Sequence, residues 1–71
     1  MEFQLFDVVV LTENLPQEKL RRGNMGAIVE ILDEKEGVFI VEFVDDEGYT
    51  YAEPILKATQ LLKTYKQPML A

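Results

Sequence analysis

The chain contains no cysteine and no histidine. Without cysteine no disulfide can staple the fold, and the redox compartment is undeclared. Without histidine the commonest general base is missing, and both absences together remove the usual zinc ligands. No apolar run approaches the roughly 20 residues a membrane span needs, and no signal peptide is recognisable, so the expected location is the cytoplasm. Basic residues are also scarce. Seven Lys and Arg face thirteen Asp and Glu, a net charge of -6. From Gly23 to Leu56 the acids are Glu30, Asp33, Glu34, Glu36, Glu42, Asp45, Asp46, Glu47 and Glu53, and Lys35 is the single base. A nucleic-acid binder shows the opposite balance, because affinity for phosphates comes from cations that displace counterions. The acidic middle is read either as a solvated surface or as a docking face for a basic protein partner.

A chain of 71 residues is one domain, expected over 1–66 with a frayed tail at 67–71. It buries only about 60% of its unfolded surface, and its stability should be about 3–5 kcal/mol.

The organising stretch runs from Arg22-Gly23-Asn24-Met25-Gly26 into Ala27-Ile28-Val29-Glu30-Ile31-Leu32. Glycine and asparagine tolerate the positive φ that a chain entering a sheet from a loop often needs. The β-branched run that follows favours a strand. Strict alternation sets Ala27, Val29 and Ile31 on one face and Ile28, Glu30 and Leu32 on the other. Asp33 to Gly37 supplies turn residues. A second run places Phe39, Val41 and Phe43 on one face, and Val38, Ile40, Glu42 and Val44 on the other. The two phenylalanines mark the core face. Of the registers that align the core faces, one opposes Glu30 to Glu42; the other opposes Glu30 to Ile40 and avoids the repulsion, so it is preferred.

The remaining strands are shorter. Asp7 to Thr12 is a first strand, apolar throughout its middle. Phe3 or Phe6 could cover an end of the fold or project towards a partner. In the loop from Glu13 to Arg22, Leu15 and Leu20 are the apolar anchors, and Pro16 suits the opening of a short helical turn. Lys19, Arg21 and Arg22 form a small basic spot, read as solvated or as a contact for an anion or acidic partner. Asp45-Asp46-Glu47-Gly48 is a tight turn with Gly48 placed for positive φ. Its spacing does not match a calcium loop. Tyr49 to Glu53 alternates as a fourth strand, with both tyrosines opposite Thr50 and Ala52, and Pro54 ends it. The tyrosines either pack at the edge or form a partner patch. Ile55 and Leu56 are assigned to the core. Lys57 to Gln60 fits one helical turn, and Leu61 to Tyr65 a last strand. No internal repeat or domain boundary is present.

Five short strands with a long first loop, tight second and third turns and a one-turn helix before the last strand resemble the small SH3-like barrel. Arg22 to Glu30 resembles the KOW-type motif of ribosomal and transcription-elongation barrels. The chain is also similar to a small bacterial family classed as a domain of unknown function. That resemblance rests on Leu5 to Thr12, Leu15-Pro16, Arg22-Gly23 through Val29-Glu30, and Val41 to Asp45 with Gly48 after it. It implies no catalytic residue. Where KOW barrels carry basic loops, this chain has Asp33 to Glu36 and Asp45 to Glu47.

The sequence therefore predicts a non-catalytic module, without cofactor or metal, that docks on a protein partner or on a second copy of itself. Its expected contact residues are Ile28, Leu32, Val38 and Ile40, on a strand face too apolar for solvent, together with Tyr49, Tyr51, Asp45, Asp46 and Glu47. The alternative is that the N-terminal segment or the long loop covers that face. A specific form is an inhibitor, such as an antitoxin, neutralising a basic enzyme. The runner-up is a nucleic-acid or ribosome-associated KOW-like module.

Overall fold

A computed structural model describes residues 3–64. The chain is all-β. Six strands form one antiparallel sheet: β1 (Val8–Leu11), β2 (Met25–Asp33), β3 (Val38–Val44), β4 (Thr50–Ala52), β5 (Ile55–Lys57) and β6 (Leu61–Lys63). Their order is β4-β3-β2-β1-β6, with β5 also paired to β3. The helical segments are two short 3-10 turns, Pro16–Glu18 and Ala58–Gln60, both where the sequence places a helical turn.

Two expectations about architecture change. There are six strands rather than five, because the run after Gly48 is split. Pro54 has no N–H to give a ladder, so β4 and β5 lie in series along one edge of β3. The Val41 N–H bridges the gap by donating to the Pro54 carbonyl at 3.1 Å. The sheet is also not closed, since β4 and β6 stand at opposite ends of the strand order. The extension of the last strand to Tyr65 and the tail at 67–71 lie outside the described residues.

The core sits on one side of the sheet. Val9 and Leu11 of β1, Ile28 of β2, Phe39, Val41 and Phe43 of β3, Leu56 of β5 and Leu61 of β6 meet there, with Leu15 and Leu20 from the long loop. The loop earns its place through reciprocal backbone bonds between Leu15 and Leu20, 2.9 and 3.1 Å, which fold it over the 3-10 turn and turn both leucines inward. Phe3 closes one end by packing its ring 5.4 Å from that of Phe39. Gly26 is required by close approach: a Cβ there would lie 2.8 Å from the Glu42 carbonyl and 2.9 Å from side-chain atoms of Val41 and Phe43.

β2 carries the main departure from simple alternation. Ala27 faces Glu42 and Ile28 faces Val41, but Glu30 faces Ile40 and Ile31 faces Phe39. Val29 is thus an extra residue, a β-bulge, and the strand reverses its faces there. The preferred Glu30–Ile40 opposition does form. Before the bulge, however, Ile28 points inward and is fully buried. Its expected place on the outer face is corrected for that reason, and it is not available to a partner. A second shift, between Ile31 and Asp33, leaves Leu32 as the extra residue, and its side chain is exposed. Asp33 then closes the hairpin, its carboxylate accepting the Glu36 N–H at 2.9 Å and its carbonyl the Gly37 N–H at 2.8 Å.

A candidate protein-docking face

The outer side of the sheet is built by the residues that alternate with the core. On β3 these are Val38, Ile40, Glu42 and Val44. Pairing carries the same side across the sheet. Ile40 stands opposite Ile55 of β5 and Glu30 of β2. Glu42 stands opposite Ala27, and Ala27 opposite Val8 of β1. Val10 of β1 lies between Met25 and Leu62 of β6. The result is a set of outward-facing rows that mix apolar side chains with Glu30, Glu42 and, beside Val38, Asp33 and Lys57; in them Met25 is 53%, Val44 47%, Ile55 62% and Leu62 61% exposed. Val38 and Ile40 are half-buried.

Among the described residues, the apolar anchors of the N-terminal segment and the long loop pack elsewhere. Phe3 is on Phe39, and Leu15 and Leu20 belong to the core. Between β1 and β3 the outer surface dips into an open groove of about 400 Å³, lined by Val8, Met25, Gly26, Ala27, Glu42 and Val44. Glu42 is half-buried there, and its Oε2 accepts the Thr50 hydroxyl at 2.7 Å.

The other sequence-predicted contact residues divide. Asp45 is committed to its own turn: Oδ1 accepts the N–H groups of Glu47 and Tyr49 at 2.9 and 3.0 Å. Asp46 and Glu47 project into solvent beside it. Gly48 has the expected positive φ, 89°. Tyr49 is 70% and Tyr51 50% exposed. The assignment of Thr50 and Ala52 to one face is corrected, because Phe43 pairs with Ala52 while Val44 pairs with Thr50. Tyr51 is the extra residue between them, and its ring lies 6.5 Å from that of the core residue Phe43. It is an edge-packed tyrosine, whereas Tyr49 is free of the core.

Several residues of the face escape a reading by alternation. The sequence places Ile55 in the core together with Leu56, yet adjacent residues of one strand must point to opposite sides; Leu56 takes the inside and Ile55 is exposed. The Leu61-Leu62 pair divides in the same way. Phe6 is 73% exposed and holds a positive φ of 71°. Its N–H donates to the Ile28 carbonyl at 2.7 Å, and the turn is tied by the Gln4 N–H to Asp7 Oδ2 at 2.8 Å. Asp7 in turn pairs with Lys63 at 3.2 Å.

At the loop end, Lys19, Arg21 and Arg22 are exposed around a cleft lined by Asn14, Pro16, Lys19, Leu20 and Arg21. The backbone there is held by Asn14 and Asn24, whose side-chain oxygens accept the N–H groups of Arg22 and Arg21 at 2.8 and 2.9 Å. Among the described residues no group of three or more Asp and Glu converges as a metal site, and no helix is long and apolar enough to cross a membrane.

These features define a small antiparallel all-β domain whose outer sheet face exposes several large apolar side chains among the described residues. The chain belongs to the family described as a domain of unknown function (DUF4926), whose model matches residues 5–63. Comparison with curated proteins and with solved structures gave no significant match.

Proposed function

We propose that this chain is a non-catalytic protein-binding module that works in the cytoplasm and docks a basic protein partner on the outer face of its sheet. The observation that carries the reading is the exposure of Met25, Val44, Ile55 and Leu62 on one side of the sheet. Burying that apolar surface against a partner is favourable. The acids that dominate Gly23 to Leu56 select for a partner of positive charge. An inhibitor of antitoxin type, neutralising a basic enzyme, is the specific form this takes. The fold reading that accompanies it is a partly open SH3-like barrel of KOW type, with β4 and β5 together standing for its fourth strand. Support for that comes from the strand order and from the 3-10 turn just before β6.

The experiment is capture from a lysate on immobilised wild-type chain and on an Ile55→Lys variant. The reading predicts a protein retained by the wild type and lost by the variant. Equal retention by both, or retention of none, contradicts it. A concentration-dependent dimer in sedimentation would instead assign the face to a second copy. The second reading, a nucleic-acid or ribosome-associated module, is favoured by the exposed Lys19, Arg21 and Arg22. It predicts RNA retention that Arg21→Ala with Arg22→Ala abolishes.

A further inference from the structure

Within the outer face the groove between β1 and β3 has one carboxylate among apolar walls. Glu42 stands beside Val8, Met25, Ala27 and Val44. The Thr50 hydroxyl fixes its orientation, and Glu42 forms no ion pair among the described residues. A half-buried carboxylate with a neutral hydrogen-bond donor but no cation is a place where a cation is favoured. Lysine and arginine match the rest of the groove, because their methylene stems cover apolar surface while the charged head stays at a polar point.

We propose, resting on the docking reading above, that this groove receives a lysine or arginine side chain of the partner, its stem along Met25, Ala27 and Val44 and its head on Glu42. Charge complementarity selects this occupant over a second copy. A second copy would bring a net charge of -6 with it, and like charges brought together in a closed interface are costly.

The test is an NMR titration of the full-length chain with n-butylguanidinium chloride, an arginine side-chain mimic, with sodium chloride at equal ionic strength and n-butanol as controls. Wild type should show saturable shifts at the amides of Ala27, Glu42 and Val44, stronger than those n-butanol produces. Glu42→Gln keeps the size of the side chain and an oxygen for Thr50, and its dispersed spectrum verifies the fold. It should bind the mimic about fivefold more weakly, the loss expected of a partly solvated ion pair. Equal binding by the variant, shifts centred on Asp45 to Glu47, or no saturable shift overturns the proposal. A dimer strengthened by Glu42→Gln also overturns it. Partner capture lost in Ile55→Lys but unchanged in Glu42→Gln would remove the cation site and leave the docking reading standing; capture unchanged in both would remove both.

Discussion

Val41 and Ile40 are neighbours on one strand and differ by a single methylene, yet Val41 is fully buried and Ile40 only half-buried. The same contrast runs the length of β3. Its inner residues are packed with β1, β5, the long loop and Phe3, whereas among the described residues its outer ones are half-buried or exposed. A face designed for water alternates apolar with polar. Here Val38, Ile40 and Val44 alternate with core residues instead, and Glu42 is the polar exception on that side of the strand. Apolar character therefore does not distinguish the two faces; coverage does. The inner face holds the fold together, and the outer face is open among the described residues.

Substitution can sharpen that division. Phe39→Ala should have the largest effect, about 3–5 kcal/mol, which equals the whole stability expected of so small a chain and should leave it unfolded in a urea titration. Ile28→Ala should cost about 2–4 kcal/mol, while Leu32→Ala, four residues along the same strand, should cost under about 0.5 kcal/mol. Strict alternation puts that pair on one face, so the difference reports the register shifts at Val29 and Leu32. Gly26→Ala should lower stability by about 1–3 kcal/mol in the same titration, since the new methyl group meets β3 backbone that cannot move aside cheaply. Asp45→Ala should cost about 1 kcal/mol through the two turn hydrogen bonds, read as a lower melting temperature. Ile55→Ser should change stability by under about 0.5 kcal/mol while reducing partner capture. A large loss of stability there would mean that the outer face belongs to the core.

Much of this frame is legible in the residues. Phe39, Val41 and Phe43 announce the core face because three large side chains at a spacing of two have no other use in a strand. Gly48 and Asp33 to Gly37 mark turns for reasons of φ and side-chain hydrogen bonding, and Leu15 and Leu20 stand out as the apolar positions of a polar loop. What stays hidden is where the ladder slips. Val29 and Tyr51 are ordinary strand residues, and nothing in their chemistry announces a bulge; each arises because neighbouring strands make unequal demands on one chain. β2 must pair with β1 through Met25 to Ala27 and with β3 from Ala27 onward, and the bend between them falls at Val29. A slip of one residue reverses the faces, which is how Ile28 moves inside. The groove at Glu42 is equally invisible beforehand, because its walls come from three strands whose register only the folded sheet fixes.

The central claim, that one side of the sheet is sealed and the other open, can be read methyl by methyl. The measurement is relaxation enhancement by a soluble paramagnetic agent on methyl-labelled full-length chain at low concentration. Met25 and Ile55 should relax strongly and Ile28 hardly at all. Protection of Met25 and Ile55 equal to that of Ile28 would mean that the isolated chain covers its own outer face, and the docking account would be contradicted.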